Sequence, residues 1–515
     1  MSADCNILPI EGGELWRALS IEEDLLQTVL LHLDFQSLLS FELTCTTFRK
    51  FMQRTLTWKK VFEADNPGYC NDTMDKNLKV MIKRSINRTK GLHLKYKHIV
   101  LRLKNLELNL AKGLNSKDKI NFPKVVGPNG DEFMIRAMDS QSIFVHDEGE
   151  FYPSHIFNIG SQRQHKLVNN TFDMFSIKSS DTSDGKLVVL RESDVHLNDN
   201  SEVFYVVETY LIPSQEEKST LEACKLKEQS VSLAESNIGI CVKVKLALDT
   251  VLLLSIKKEN LIMHGIVNIF TADEEKLVPC GQIFCSLPEN AFSEKLSLLN
   301  SKHFITCRPG RRFVDIWDLT KIEKSTKKAE LIWEKEVINS KSIPMEKCSA
   351  IAFSMPHLLV GKSNGRCDIW NVLDNCILRS LEHGLETGLN MGIKKIVIFS
   401  NFIYSLTDSG WLFAWDRRMG LDPKSSKKKQ KDLLSWVIKN RKGKNITNFE
   451  VDHTKIVTIE QHQAKSIWQS KMFLVSRDFW SHKEKKSRKD SRSAIKRKTD
   501  SNEIRHGKRK KVNTE

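Results

Sequence analysis

Five basic residues in the second half of the chain have the chemistry that points most directly to binding. Arg308, Arg311 and Arg312 lie in the segment CRPGRRF, Arg366 lies in SNGRC, and Lys465 lies in QAKSIW. Each precedes a short apolar segment that carries a Trp. A guanidinium group can donate two parallel hydrogen bonds to one phosphate or carboxylate. We therefore expect these side chains to bind an acidic or phosphorylated peptide, with solvated turn residues as the alternative.

The sequence lacks the residue patterns of common enzymes and metal sites. It has no Gly-rich phosphate loop, no Gly-x-Ser-x-Gly segment and no His-Glu-x-x-His segment. Its 11 cysteines are irregularly spaced, and the closest pair, Cys280 and Cys285, has no second pair or His cluster at metal-ligand spacing. We predict a protein without catalytic residues, metal ions or cofactors, whose thiols are free and mostly buried.

Positive charge is concentrated in three segments of this chain of 515 residues, whose net charge is +16. Residues 76–104 hold ten Lys or Arg and no acid, residues 424–444 hold nine basic residues and one acid, and residues 481–515 hold fourteen and five. The last two are predicted to include a flexible loop at 422–433 and a disordered tail at 477–515. Such clusters serve nuclear import or nucleic-acid binding, so we expect the nucleus, with the cytoplasm as a second compartment. No apolar run is long enough for a membrane span, and no membrane partner is expected.

The first 62 residues contain a pattern of short helices. Leu25, Leu26, Val29, Leu30 and Leu33 line one face of a first helix, and Ser20 with Glu23 forms a capping box at its start. Two more helices follow, one around residues 38–45 and one that starts near Phe48, includes Leu56 and ends near Phe62. Three helices in under fifty residues bury too little apolar surface to be stable alone. They are expected to leave an apolar face that another protein covers.

The order of residues in this segment resembles the F-box family. The matching positions are Leu19, Glu22, Leu25, Leu26, Leu30, Leu33, Asp34, Leu38, Leu39, Leu43, Cys45 and Trp58. Ser20, Thr44 and Thr57 depart from the family pattern. The resemblance implies docking onto a Skp-type adaptor that links the chain to a cullin scaffold. The side chains expected to make that contact are Leu19, Ile21, Leu25, Leu26, Val29, Leu30, Leu33, Leu38, Leu39 and Trp58.

Residues 63–118 are predicted to form a basic helical linker. Leu78, Met81, Ile82 and Ile86 fit one helical face, whereas the leucines after Gly91 fit either a helix or a strand. The basic residues are either a solvated face or a surface for nucleic acid or an acidic partner. No aromatic residues alternate with them, which argues against a platform for stacked bases.

A faint repeat fills residues 119–476. Trp317, Trp370, Trp415 and Trp468 lie 53, 45 and 53 residues apart, and Phe270 occupies the same place 47 residues before the first. Two earlier segments, SQSIFVHD and DGKLVVLRE, show the strand alternation without Trp. A period near this length, with a turn before a strand that ends in Trp, resembles the WD repeat. The resemblance implies seven to eight propeller blades, with the Trp side chains in the core and the five basic residues on one rim.

The expected architecture is multidomain, α plus all-β. It has a flexible N-terminus (1–14), a three-helix F-box (15–62), the helical linker (63–118), a β-propeller (119–476) and a basic tail (477–515). The expected function is that of a substrate-recognition adaptor of an SCF-type cullin–RING ubiquitin ligase, with a client held by the propeller. Two alternatives remain: a nuclear WD-repeat scaffold of a ribonucleoprotein that binds RNA through its basic arms, and an F-box protein that acts outside any ligase.

Overall fold

The computed structural model describes residues 23–65 except 45, residue 82, residues 92–121 except 114, and most strands and adjoining turns between 133 and 479. Several predictions therefore lie outside the described residues. These are the flexible N-terminus 1–14, Leu19, Ile21, the capping Ser20, Glu22, Cys45, the linker residues Leu78, Met81 and Ile86, Arg311, Lys465, Trp468, the loop 422–433 and the tail after residue 479. No helix in the described part of the chain is both long and apolar enough to cross a membrane.

The N-terminal module contains four described helices rather than three. They are α1 (Glu23–His32), α2 (Phe35–Thr44), α3 (Thr46–Arg54) and α4 (Thr57–Asp65). Asp34 starts α2, because its carboxylate accepts hydrogen bonds from the Ser37 backbone N–H at 2.8 Å and from the Ser37 hydroxyl at 3.1 Å. Leu56 has a φ of 50°, which interrupts the helical backbone between α3 and α4. The expected third helix is therefore two helices.

A long helix, α5 (Leu92–Lys112), follows. It resolves the ambiguous leucine pattern after Gly91 in favour of a helix. The helix ends at Gly113, whose φ of 65° suits a residue without a Cβ, and a Cβ there would lie 2.7 Å from the Trp436 ring. Strand β1 begins at Ser116, so the linker ends earlier than the predicted residue 118.

The rest of the described chain is mostly strand. Within it, the antiparallel pairings group the strands into seven sets of four, called meanders 1 to 7. Single parallel pairings of β13 with β9 and with β17 join meanders 2, 3 and 4 into one twelve-stranded sheet. Meander 1 consists of β2 (Phe133–Met138), β3 (Ser142–Asp147), β4 (His155–Asn158) and β5 (Gln164–Lys166). Meander 2 consists of β6 (Phe175–Ser183), β7 (Lys186–Ser193), β8 (Phe204–Leu211) and β9 (Lys227–Ala234). Helix α6 (Glu235–Ile238) leads into meander 3, which consists of β10 (Ile240–Ala247), β11 (Thr250–Glu259), β12 (Ile262–Asp273) and β13 (Lys276–Leu287).

The remaining strands complete this series. Meander 4 consists of β14 (Ser297–Leu299), β15 (His303–Cys307), β16 (Phe313–Glu323) and β17 (Lys328–Glu336), and meander 5 of β18 (Cys348–Ser354), β19 (His357–Lys362), β20 (Arg366–Asn371) and β21 (Cys376–Glu382). Meander 6 consists of β22 (Ile393–Phe399), β23 (Phe402–Thr407), β24 (Leu412–Asp416) and β25 (Leu434–Ile438). Meander 7 consists of β26 (Lys444–Val451), β27 (Lys455–Gln463), β28 (Ser470–Asp478) and β1 (Ser116–Asn121).

Strand β1 supplies the fourth strand of meander 7 from the other end of the chain. It pairs antiparallel with β28, from Ser116 opposite Asp478 to Asn121 opposite Phe473. The first strand of each meander also lies against the first strand of the next, and β26 of meander 7 lies against β2 of meander 1. The predicted tail boundary at 477 is wrong, because Arg477 and Asp478 belong to β28 and Phe479 is buried.

The repeated Trp residues occupy equivalent places. Trp317, Trp370 and Trp415 lie in the third strands of meanders 4, 5 and 6, and all three are buried in cores between neighbouring meanders, as predicted. The segments SQSIFVHD and DGKLVVLRE were predicted to be equivalent to the Trp-bearing third strands. They form β3 and β7, which are the second strands of their meanders. Alternation alone could not distinguish a second strand from a third.

Each meander has two edges. The turns between second and third strands and the connections to the next meander form the upper edge, and the other turns form the lower edge. Across meanders 5 and 6 the upper-edge segments touch, because the His383 N–H donates to the Gly365 carbonyl and the Asp408 N–H donates to the Gly392 carbonyl. Helix α5 packs at the lower edge, where the Asn109 amide donates to the Phe479 carbonyl at 2.9 Å.

Candidate partner-docking surfaces

The apolar residues of the N-terminal module form a core of their own. Leu30, Leu38 and Trp58 are buried there with Phe62, and helix α5 completes the core with Ile99 and Val100. Leu30, Leu38 and Trp58, which were predicted to contact the adaptor, are therefore buried inside the core of the module in this structure. The sequence argument counted the helices as a module without a neighbour and missed the cover that α5 provides.

A buried acid ties the module to α5. The Lys97 ammonium on α5 lies 2.6 Å from the Glu42 carboxylate, which is almost fully buried, and the Trp58 indole N–H donates to the same oxygen at 3.2 Å. The Lys97 ammonium also lies 5.9 Å from the centre of the Trp58 ring. A buried carboxylate needs such partners to offset its lost hydration, so the contact fixes the orientation of α5 on the module.

Part of the predicted docking surface is open to solvent. Val29 is 48% exposed. Leu43, which matches the F-box pattern but was not predicted to contact the adaptor, is 62% exposed, and Leu31, which was not singled out from the sequence, is 38% exposed. Leu26, Leu33 and Leu39 are half-buried. Leu25 lies on α1, and its side chain is outside the described atoms. The accessible apolar surface of α1 and α2 is therefore narrower than predicted and centred on Val29 and Leu43.

Arg308 lies at the upper edge, in the turn before β16, and its guanidinium is already paired. It donates two hydrogen bonds, of 2.7 and 2.8 Å, to the carboxylate of Asp315, whose side chain is fully buried. It also donates to Glu334 on β17 and lies over the Phe313 ring. Burial raises the pKa of Asp315, and Arg308 opposes that shift. Arg308 therefore acts as the counter-ion of a buried acid.

Arg366 lies in the corresponding turn of meander 5 and is engaged in a similar way. Its Nε donates to the buried carboxylate of Asp368 at 2.9 Å, and its Nη2 donates to the Ser380 hydroxyl at 2.7 Å. The Lys362 ammonium lies 2.8 Å from Asp368 and 3.0 Å from Glu346. The Arg366 side chain is nevertheless 44% exposed, so one side of it faces solvent.

The predicted rim is therefore only partly available to an anion. Arg308 and Arg366 are both at the upper edge, as expected from their turns, but each neutralises an acid of its own meander. Arg312 is exposed next to this site. Arg311 and Lys465 lie outside the described residues. A bound phosphate or carboxylate would have to compete with a buried Asp for Arg308, which the sequence could not indicate.

These acids follow a pattern that sequence reasoning missed. A polar residue stands two positions before the aromatic residue of the third strand in four meanders, namely Glu208 before Tyr210, Asn268 before Phe270, Asp315 before Trp317 and Asp368 before Trp370. Each is buried and hydrogen-bonded to a neighbouring strand or turn: Glu208 accepts from Arg191 at 2.7 Å, and Asn268 donates to Ser255 at 3.0 Å. The polar-x-aromatic spacing is visible in the sequence, but only the fold shows that these polar residues are buried and hydrogen-bonded.

Meander 6 has a different buried network at the same edge. The His383 ring bonds through Nδ1 to the Gly365 carbonyl at 2.9 Å and through Nε2 to the Ser405 hydroxyl at 2.6 Å. The Trp415 indole N–H donates to the same hydroxyl at 3.1 Å. Because a carbonyl only accepts, Nδ1 carries the proton and Nε2 accepts from Ser405. Burial lowers the pKa of His383 to about 4, so the ring is neutral near pH 7.

The cysteines and the acids offer little further chemistry. Of the seven described cysteines, all of them free, five are buried, in line with the expectation of mostly buried thiols, and Cys280 and Cys376 are exposed. Burial raises the pKa of Cys285 to about 12. No group of three or more His, Cys, Asp or Glu side chains within the described ranges is arranged to hold a metal ion.

Comparison with known proteins identifies one part of the chain. Residues 19–60 match the family model of the F-box domain. No curated protein matches the chain. Among solved structures, the chain is similar to the computationally designed Ika8 protein, with 12% sequence identity and a TM-score of 0.38 over 68% of this chain and 99% of Ika8. That structural likeness is too low to support an argument.

Proposed function

We propose that this chain is a substrate-recognition adaptor of an SCF-type cullin–RING ubiquitin ligase. The observation that carries the proposal is the F-box domain at residues 19–60, a module that binds Skp-type adaptors. The β-rich region would hold the client, and the ligase would act by keeping a client lysine close to the charged conjugating enzyme. Such a receptor needs no catalytic residue, metal ion or cofactor of its own.

The proposal includes a seven-bladed WD-type β-propeller for the client-binding region. Three observations support it. The chain forms seven four-stranded meanders, and β1 completes the seventh. The first strand of each meander contacts the first strand of the next, and that of meander 7 contacts that of meander 1. The equivalent third-strand positions of Trp317, Trp370 and Trp415 agree with the WD-type repeat predicted from the sequence. A closed ring would leave each sheet without a free inner edge.

Nuclear residence is also part of the proposal. It is supported by the basic clusters 485–489, 496–498 and 508–511. A fluorescent fusion that lacks residues 481–515 should redistribute to the cytoplasm. Retention of that truncated fusion in the nucleus would remove this part of the proposal.

Adaptor binding tests the function directly. We expect the purified full-length chain to bind a recombinant Skp-type adaptor and to recruit a cullin through it. A Val29→Asp/Leu43→Asp variant should bind the adaptor at least about tenfold more weakly, because charged groups replace the two exposed apolar contacts. The matched control is Leu108→Asp, which changes a 45% exposed leucine on α5, outside the F-box.

The outcomes of this experiment separate the alternatives. Adaptor binding without cullin recruitment would indicate an F-box protein that acts outside a ligase. Salt-sensitive binding of RNA with no adaptor would indicate the ribonucleoprotein scaffold. No observation in the described part of the chain favours that scaffold at present, and the loop 422–433 and the tail after residue 479 lie outside it.

A further inference from the structure

The turn between β16 and β17 presents two hydroxyl groups on an exposed tip. Residues 320–328 are all exposed, and Ser325 and Thr326 lie in the turn itself. The Ser325 hydroxyl donates to one carboxylate oxygen of Glu323 at 3.1 Å, and the Thr326 hydroxyl donates to the other at 2.6 Å. These two hydrogen bonds lower the pKa of Glu323, so its carboxylate is ionised near neutral pH. One exposed acid therefore holds both hydroxyl groups.

Lysine residues surround these hydroxyl groups. Lys321 lies 3.4 Å from Glu330 across the hairpin. Three further lysines on the tip are exposed and form no salt bridge with any described residue, namely Lys324, Lys327 and Lys328. In the sequence, Lys324 stands two positions before Thr326, and Lys328 stands two positions after it. Protein kinases recognise their substrates partly by patterns of charge, so a hydroxyl between cations suits a kinase that selects basic residues.

The same turn joins meander 4 to meander 3. The Lys327 backbone N–H donates to the Glu323 carbonyl at 2.8 Å, and Lys327 has a φ of 54°. Its own carbonyl accepts a hydrogen bond of 2.9 Å from the Phe284 N–H on β13, beside the parallel pairing of Phe284 with Lys328. The direction of this carbonyl depends on the shape of the turn, because the left-handed conformation of a lysine needs support from its surroundings. A change at the tip therefore reaches β13.

We propose that Thr326 is a phosphorylation site for a Ser/Thr kinase that selects basic residues around its acceptor, and that the phosphate loosens the contact between meanders 3 and 4. In this reaction the bond from the Thr326 Oγ1 to the γ-phosphorus of ATP forms, and the bond from that phosphorus to the ADP oxygen breaks. The hydroxyl proton passes to the catalytic carboxylate of the kinase. The inference concerns regulation of the β-rich region and is independent of adaptor binding.

The effect on the turn follows from the charge of the phosphate. A phosphothreonine carries about −1.5 to −2 charges near pH 7 and has lost the hydroxyl proton. It therefore removes the 2.6 Å hydrogen bond to Glu323 and places a second anion beside that carboxylate. The unpaired lysines attract the new phosphate, so the turn changes shape and the Phe284 N–H loses its acceptor. Thr326 is favoured over Ser325, because it has the shorter bond to Glu323 and a lysine two positions away on each side.

Site-resolved mass spectrometry tests the modification on the folded full-length chain, incubated with Mg²⁺, ATP and the catalytic domain of a Ser/Thr kinase selective for basic residues. Lys324→Glu/Lys328→Glu should slow the phosphorylation of Thr326 about tenfold, because the reversed charges oppose recognition. The matched control, Lys302→Glu/Lys347→Glu, changes two exposed lysines outside this hairpin and should leave the rate unchanged. Absence of phosphate on Thr326, faster modification of Ser325, or equal rates in the two double variants would overturn the site.

Hydrogen exchange at the Phe284 amide measures the consequence. Phosphorylation of Thr326, or Thr326→Glu, should raise its exchange rate about tenfold relative to the unmodified chain, because the amide loses its acceptor. Thr326→Ser keeps the hydroxyl and should exchange like the unmodified chain, whereas Thr326→Val removes the hydrogen bond without adding charge and should give a smaller increase. The amide of Leu474 on β28 is the internal control and should not change. An unchanged Phe284 rate in the phosphorylated chain would overturn the loosening of meanders 3 and 4.

Discussion

At the scale of single residues, the upper edge shows how one side chain can suggest two roles. Arg308 was selected as a client-binding residue from its type and its turn, and both features are present. Its two hydrogen bonds to the fully buried Asp315 give it a structural role as well. The sequence could place Arg308 at an edge, but only the fold shows that β16 buries an acid beneath it.

Replacing Arg308 should therefore affect stability before it affects binding. Arg308→Ala leaves the Asp315 carboxylate buried without its main partner, which should lower the free energy of unfolding by roughly 3 kcal/mol. Arg312→Ala, at an exposed neighbour, should change it by less than about 0.5 kcal/mol. Urea unfolding of the two variants measures both values. Equal stabilities would show that Arg308 is free to serve a client.

His383 should make stability depend on pH. Its folded pKa of about 4 lies below the value of 6.5 for an unfolded chain, so the folded state binds fewer protons. The stability present above pH 6.5 should be lost as the pH falls towards 4, by roughly 3 kcal/mol in total. His383→Gln removes the titrating ring and should flatten this part of the pH profile. A variant profile as steep as the original would assign the effect to other groups.

At the scale of elements, periodicity predicted the existence of most strands and failed where tertiary contacts decide. The leucines after Gly91 fitted two structures, and α5 became a helix because one end packs on the F-box core and the other on meanders 6 and 7. The pairing of β1 with β28 could not be predicted from local sequence, because the two strands are more than 350 residues apart in the chain. The burial of Leu30 and Leu38 against α5 is likewise a tertiary contact that the local sequence does not indicate.

Strand β1 should be needed to complete meander 7. In an antiparallel pair, alternate N–H groups point to the partner strand, so only one of two consecutive residues donates to β28. Of Asp118→Pro and Lys119→Pro, one should therefore lower the melting temperature by several degrees and the other much less. Differential scanning calorimetry compares them, each serving as the control for the other. Two unchanged melting temperatures would argue against the pairing.

At the scale of the whole molecule, α5 acts as a continuous strut of about 31 Å, given the rise of 1.5 Å per residue. Ile99 and Val100 anchor it in the F-box core, and Leu106 with Asn109 anchors it at the lower edge of the β-rich region. A helix fixed at both ends sets the distance and direction between the F-box and the β-rich region. Its length could be read from the sequence only after the helix had been established.

This geometry predicts separate effects on binding and on transfer. A flexible Gly-Ser segment inserted between Leu103 and Lys104 should leave adaptor binding and client binding intact, because both anchoring sets keep their contacts. The rate of client ubiquitination in a reconstituted ligase should fall, since the lysine is no longer held near the conjugating enzyme. The same insertion after residue 481, outside the described fold, is the control. Equal rates would show that the strut is dispensable.

The pairing of β1 with β28 has a consequence for biosynthesis. A ribosome emits the F-box, α5 and β1 early, yet their partners at 470–479 emerge hundreds of codons later. Until then, the leucines of α5 that will face Phe402 and Phe479 have nothing to cover them. An mRNA truncated before codon 470 would thus yield a chain with an unpaired β1 and an exposed apolar surface on α5. Chaperones and proteases recognise such surfaces. Meander 7 is therefore complete only after both ends of the β-rich region have been synthesised.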